Sequence, residues 1–307
     1  MKVVFMGTPE MAVPTLRELV ENNIEVALVV TQTDKPKGRG NQVQAPPVKE
    51  FALEKGIPVI QPQSLRNNNE VLEQLKRVAP DFLVVAAYGK ILPQAVLDVP
   101  KYAPVNVHFS LLPKYRGAAP VNWAVINGEK ETGVATMLMD AGLDTGDILL
   151  VEKTPIDKKT AEDIALELSE TGAKLLIKTL NEFQSITPVK QNEAEMTYAP
   201  MMKKEDGLID WSKPAAVIEC MIRGFVPWPC AYTTLAGKTM KLFQAEVVNA
   251  PDNMENGCIF DVTKKSFSVK CGEGGLRILE LQPEGKKRMP AASYLAGAKM
   301  NGDERFE

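Results

Sequence analysis

His108 is the only histidine in a chain of 307 residues. Chemistry here that needs an imidazole has no other source. It sits in the run Asn106-Val107-His108-Phe109-Ser110-Leu111-Leu112-Pro113-Lys114-Tyr115-Arg116-Gly117, directly after an apolar stretch that reads as a strand. Alternation along a strand turns Asn106 and His108 to the same side. An amide donor and an acid–base group then face one place. A hydrogen-bonded strand end could carry the same pair, so the pair alone does not establish catalysis. The following residues, Ser110, Leu111, Leu112 and Pro113, form a loop whose backbone N–H and C=O groups could clamp a flat heterocycle.

A second cluster is Asp140-Ala141-Gly142-Leu143-Asp144-Thr145-Gly146-Asp147. A loop carboxylate brought beside His108 would orient the ring and stabilise its protonated form. Aspartate with glycine is also ordinary turn chemistry. A calcium loop is excluded, because the EF-hand spacing and its final glutamate are missing. A third candidate, Gly7-Thr8-Pro9-Glu10, has one glycine and then Thr-Pro where a dinucleotide fingerprint would read GxGxxG. The sheet can therefore be Rossmann-like without binding NAD.

These segments need elements to hold them. Lys2–Met6, Ile24–Val30, Asp81–Ala87 and Tyr102–Val107 are short apolar runs that read as buried strands. Helical spacing over Glu10–Glu21, Pro46–Lys55 and Asn69–Val78 alternates with them. Strand and helix in alternation predict a mostly parallel sheet with right-handed crossovers. Thr132–Met139 and Ile148–Lys153 read as two further strands joined by the Asp/Gly turn. Thr160–Phe183 reads as a long helix. Residues 190–207 lose periodicity and are expected to be a linker. Beyond a helix at Pro214–Arg223, five short strand-like runs predict a small β-barrel. The expected domains are 1–189, Rossmann-like and catalytic, and 208–307, an OB-like barrel. Trp228, between two prolines, is expected to be packed.

Composition narrows the class. Hydrophobic residues are 45% and charged residues 24%, which are globular values. No apolar run reaches the roughly 18–20 residues of a membrane helix, and the start lacks a signal-peptide pattern; the expected location is the cytoplasm. The formal net charge of −3 argues against blanket nucleic-acid binding and leaves room for local basic patches. The four cysteines include no CxxC pair and fit no zinc template, so no metal is expected from them.

Taken together, FMGTPEMAVPTL, NVHFSLLPKYRGAAP and ETGVATMLMDAGLDTGDIL resemble the folate-dependent formyltransferases over the whole chain. IDWSKPA, GFVPWPCAYT and the late QPEGKKRM are similar to the branch that acts on charged initiator tRNA. The resemblance implies a trio, Asn106, His108 and Asp144, and a folate site lined by Ser110, Leu111, Leu112 and Pro113. It implies 10-formyltetrahydrofolate as the formyl donor and methionyl initiator tRNA as the acceptor. The sequence departs from the family at Phe109, where a small residue is usual, and at Met11, where Phe is common. A bulky Phe109 could reshape the pocket wall.

In that reaction an amine attacks the formyl carbon and negative charge grows on the formyl oxygen. Asn106 and protonated His108 suit that oxygen. Asp144 could accept the amine's proton or hold His108, and His108 could protonate the leaving N10. The basic segment at residues 34–44, with Lys35, Lys37 and Arg39, reads as a mobile loop on the crevice side that could grip the tRNA. Neither half of the chain is strongly basic, so contact with tRNA must come from local patches. The expected oligomeric state is a monomer. Two alternatives remain open. One is a sister enzyme that formylates a sugar nucleotide or glycinamide ribonucleotide, or hydrolyses formyltetrahydrofolate. The other is a nucleic-acid-binding module on an inert scaffold, in which His108 would be dispensable.

Overall fold

Apolar runs bounded by Gly, Pro and Asn become the strands of one sheet in the computed structural model, which describes residues 1–37, 42–298 and 300–307. In chain order the elements are β1 (Lys2–Gly7), α1 (Val13–Glu21), β2 (Glu25–Val30), β3 (Lys35–Lys37), β4 (Gln42–Gln44), α2 (Pro47–Glu54), β5 (Val59–Ile60) and α3 (Asn69–Val78). Then follow β6 (Phe82–Ala86), α4 (Gln94–Leu97), β7 (Ala103–His108), β8 (Arg116–Gly117), α5 (Pro120–Ile126), β9 (Glu131–Leu138), β10 (Ile148–Pro155), α6 (Ala161–Glu182) and β11 (Tyr198–Ala199). The chain divides into two compact units. The first comprises Met1–Pro120, Glu131–Pro155 and Ala165–Pro200; the second comprises Val121–Lys130, Ile156–Ile164 and Met201–Glu307.

The first unit is built on a seven-stranded sheet in the order β10-β9-β7-β6-β1-β2-β5. β5, β2, β1, β6 and β7 run parallel. β9 pairs antiparallel with β7, and β10 antiparallel with β9. The short Asp/Gly connection between β9 and β10 can join only antiparallel neighbours, since a parallel return needs a long crossover. Val4, Met6, Leu28, Val30, Leu83 and Val85 form one buried face together with Val71 and Leu75 of α3. Each such side chain contributes about 1.5–3 kcal/mol relative to exposure. α3 starts where the Asn68 side chain accepts the Val71 N–H at 3.2 Å, and it ends at Ala79 in a left-handed conformation.

The interior strand β7 is covered on its other side by α6. A Cβ on Gly172 of α6 would stand 2.9 Å from side-chain atoms of both Val107 and Val134, so the helix lies directly on β7 and β9. Phe109 is buried and its ring also lies against Gly172. The bulk that departs from the family pattern therefore faces α6.

After α6 the chain returns along the sheet. Val189 bridges Ile148, and β11 pairs in parallel with β8. Residues 189–200, which carry no periodic signal, are thus hydrogen-bonded into the first unit.

The second unit adds α7 (Ala215–Gly224), β12 (Ala231–Leu235), β13 (Lys238–Val248), β14 (Ile259–Phe260), β15 (Phe267–Lys270), β16 (Gly275–Pro283), β17 (Met289–Pro290) and α8 (Ala291–Leu295). Its antiparallel sheet runs β12-β13-β16-β15-β14, with β17 beside β16. The chain's last residues join the two ends of that order: Phe306 bridges Leu235 after β12, and Arg305 bridges Cys258 before β14. These bridges link the ends of a curled antiparallel sheet, a small half-barrel. Ile218 and Ile222 of α7 lie in its core with Trp211, Leu242, Phe267 and Phe306. Trp211 and Phe306 stack at 5.6 Å between ring centroids. Trp228, expected to be packed, is 52% exposed. Among the described residues no helix is long and apolar enough to cross a membrane.

Candidate active site

The last residues of β7 set the site. Asn106 pairs in register with Val85 on one side and Met137 on the other; His108 pairs with Ala135. Both side chains leave β7 on the face opposite Val107, as strand alternation requires. Asn106 is 8% exposed, and its side-chain amide makes no hydrogen bond among the described residues. An amide this enclosed, without a protein partner, is held ready for a ligand group.

His108 is 5% exposed. Its Nε2 lies 3.1 Å from the Tyr115 carbonyl oxygen. A carbonyl only accepts, so this contact makes Nε2 the proton-bearing nitrogen. In the neutral ring Nδ1 is then the acceptor. Nδ1 faces Asp144, whose Oδ2 is 3.7 Å away. That distance is a charge contact beyond hydrogen-bond range. Tyr115 itself has φ +61°, and its N–H donates to Thr197 Oγ1 at 2.9 Å. The partner of the imidazole is thereby fixed by the returning segment at residues 189–200.

Asp144 stands in the loop between β9 and β10 with φ +54°, a left-handed conformation that costs a non-glycine residue on the order of 1 kcal/mol. Three hydrogen bonds hold it there. The Gly117 N–H donates to Oδ2 at 2.9 Å. Gln191 Nε2 donates to the Asp144 carbonyl at 2.8 Å and to the Gly146 carbonyl at 2.7 Å. Gly146 has no room for a Cβ, which would collide with the Leu138 carbonyl. The other two aspartates do different things. Asp140 accepts from Gly142 N–H at 2.9 Å and from Thr145 Oγ1 at 2.6 Å, which is turn chemistry. The Asp147 carbonyl accepts the Leu138 N–H. Only Asp144 of the three approaches His108.

The loop after β7 turns two of its side chains inward. Ser110 is fully buried and its Oγ donates to the Lys114 carbonyl at 2.7 Å. Leu112 is 7% exposed and packs with Ala135 and Met137. Leu111 lies over Gly133, where a Cβ would meet its Cδ2 at 2.5 Å. The Leu112–Pro113 peptide is cis. Ser110 and Leu112 therefore shape the loop from within.

Sequence reasoning missed Arg116, Gln191 and Glu193. Arg116 is 1% exposed; its guanidinium donates to Gln191 Oε1 at 2.8 and 3.0 Å and to the Glu193 carboxylate at 2.8 and 3.1 Å. This hydrogen bond to Arg116 holds the Glu193 carboxyl below its ordinary range. A buried guanidinium demands acceptors, but neither the burial of Arg116 nor its partners 75 and 77 residues away are signalled locally in the sequence.

The two flanks of the basic segment, read as a loop, are strands: β3 and β4 pair antiparallel. Lys35 is exposed and donates from Nζ to Gln32 Oε1 at 2.8 Å. Lys37 lies in β3, and Arg39 lies outside the described residues. At the base of this pair Asp34 accepts from Lys49 Nζ at 2.8 Å and from Gln61 Nε2 at 2.6 Å. The hydrogen bond from Lys49, and after it the one from Gln61, keep the Asp34 carboxyl below its usual range. Among the described residues no group of three or more His, Cys, Asp or Glu is arranged to hold a metal ion.

Known proteins resemble this chain. Residues 1–180 match the family described as formyl transferase, and residues 201–299 match the formyl transferase C-terminal domain. A methionyl-tRNA formyltransferase of Caldanaerobacter subterraneus subsp. tengcongensis is 52% identical over 300 residues, covering 97% of this chain and 97% of that one. Among solved structures, a Clostridium thermocellum methionyl-tRNA formyltransferase aligns with TM-score 0.57 at 20% identity, over 89% of this chain and 100% of that chain. A Helicobacter canadensis N-formyltransferase, solved with folinic acid and dTDP-3-aminofucose, aligns with TM-score 0.68 at 20% identity, over 92% of this chain and 99% of that chain. At such identities the solved structures speak for the fold alone, and that fold serves more than one acceptor.

Proposed function

This chain belongs to the formyl transferase family, and we propose that it moves the formyl group of 10-formyltetrahydrofolate onto the amino group of methionyl initiator tRNA. The observation that supports the chemistry is the approach of His108 Nδ1 to Asp144 Oδ2 at 3.7 Å, with Asn106 on the same face of β7 as His108. The choice of acceptor rests on the full-length relative at 52% identity, because the fold is common to enzymes with sugar acceptors.

The residues divide the work as follows. The unpartnered Asn106 amide donates to the formyl oxygen as charge grows on it. The neutral acceptor at His108 Nδ1 takes the proton that the attacking amine loses, directly or through water. The Asp144 carboxylate, 3.7 Å away, stabilises the imidazolium so formed. The C–N10 bond then breaks and the same proton passes from His108 to N10. Sequence reasoning placed protonated His108 at the formyl oxygen. The Tyr115 carbonyl favours the relay instead, since it occupies the Nε2 proton. No covalent enzyme intermediate is required.

Ser110, Leu111, Leu112 and Pro113 are proposed to line the folate site through their backbone. Lys35, Lys37 and Arg39 of the catalytic, folate-binding domain are proposed to engage the tRNA, and the barrel at 208–307 to add tRNA contacts. The same reading has the enzyme act in the cytoplasm as a monomer.

The direct test compares formyl transfer to charged initiator tRNA with transfer to sugar nucleotides. Turnover only on the latter would replace the acceptor. Asp144→Ala should lower kcat by about 10²-fold with both KM values little changed. Arg39→Ala should raise the KM for tRNA, leave that for folate unchanged, and flatten the log–log salt dependence by about one unit. An equal loss of folate affinity would contradict its placement.

A further inference from the structure

We propose that Gln191 is a positioning residue that sets the distance between Asp144 and His108. The proposal rests on the catalytic role given to Asp144 above. Gln191 comes from the aperiodic return segment, not from β7 or the β9–β10 loop. Its amide is fully committed. Both donated bonds go to the loop backbone, at the Asp144 and Gly146 carbonyls, 2.8 and 2.7 Å away. Its Oε1 accepts twice from Arg116, at 2.8 and 3.0 Å. The orientation of the amide is therefore determined: reversed, it would set oxygen against two carbonyls and N–H groups against a guanidinium. Arg116 is itself buried and anchored on Glu193. The neighbouring Gly117 N–H holds the Asp144 carboxylate at 2.9 Å. Asp144 is thus gripped at its backbone by Gln191 and at its side chain by Gly117, and Arg116 joins the two grips. Without the first grip the loop residue is free to leave its left-handed conformation, and the carboxylate would leave the imidazole.

Gln191→Glu tests this. It is nearly isosteric and keeps an acceptor for Arg116, but it loses both donated bonds. Steady-state kinetics with both substrates should show kcat reduced at least about 10-fold and each KM within about 2-fold of the parent. Thermal melting would verify that the variant folds. The decisive readout is a double-mutant cycle with Asp144→Asn. In that background Gln191→Glu should cost less than about 2-fold, because the group it positions is already disabled. An equal cost in both backgrounds, or unchanged kcat in folded Gln191→Glu, overturns the proposal. If Gln191→Glu does not fold, Gln191→Ala is put through the same cycle with the same expectations. Near-parental turnover of Asp144→Asn alone would instead remove the role of Asp144 and this proposal with it. A disabled Asp144→Asn beside an unaffected Gln191→Glu would remove only the positioning.

Discussion

His108→Ala is expected to lower kcat for formyl transfer by about 10³-fold, inside the roughly 10²–10⁴-fold range of positioned acid–base groups. The size follows from three observations. There is no second histidine to take over, since the chain has one. The ring is enclosed at 5% exposure, so bulk solvent is a poor substitute for its proton transfers. Its tautomer is preset by the Tyr115 carbonyl at 3.1 Å, and that preorganisation disappears with the ring. The substitution also removes the hydrogen bond between the ring and the Tyr115 carbonyl, a net loss of about 0.5–1.5 kcal/mol. Kinetics must therefore be read beside a thermal melt, at a temperature where the variant is folded. Added imidazole should restore part of the rate, because the hole left between Tyr115 and Asp144 keeps its acceptors. A folded variant within tenfold of the parent would exclude any relay through this ring and favour the inert-scaffold reading.

Much of that site could be read in the sequence because strands announce themselves. Val105 and Val107 flank Asn106 and His108 as buried neighbours, so alternation alone turned the two polar groups to one side. The Asp/Gly cluster was legible as a turn for the same reason that made it ambiguous: Asp140 and Thr145 do build one. Which of the three aspartates faces His108 came from the resemblance, and no local rule selects it. The geometry depends on Gly117 and Gln191, which lie 27 and 47 residues from Asp144.

Long-range polar contacts explain what remained hidden. Residues 189–200 have no hydrophobic period, because they are held by hydrogen bonds and one buried guanidinium, not by an apolar face. Periodicity detects burial and is silent about that kind of attachment. The same limit hid the link between the ends of the barrel's sheet. Arg305-Phe306-Glu307 is too short to read as a strand, yet Phe306 is 1% exposed and stacked on Trp211. The β3–β4 pair was read as a loop because residues 34–44 combine three cations with two glycines and one proline. Its base is instead set by Asp34, Lys49 and Gln61, residues spread over three segments.

Asn106→Asp separates charge stabilisation from shape. The two side chains are nearly isosteric, but aspartate replaces the amide N–H donors with oxygen and adds negative charge where the formyl oxygen becomes anionic. Loss of one preorganised donor in comparable acyl transfers costs about 10²–10³-fold in kcat, or about 2.7–4 kcal/mol; the added charge places the expected effect at the upper end. The melting temperature should fall, because the variant buries an unpaired carboxylate at a position 8% exposed, so kcat is read at a temperature where the variant is folded. A fall in kcat of the folded variant with unchanged folate KM assigns the amide to the transition state, where a ground-state contact would have raised KM instead. Single-turnover kinetics with bound formyl donor would verify that the chemical step has slowed. A variant whose kcat stays within tenfold of the parent would show that the formyl oxygen is stabilised elsewhere, and Asn106 would then be only a buried strand residue beside His108.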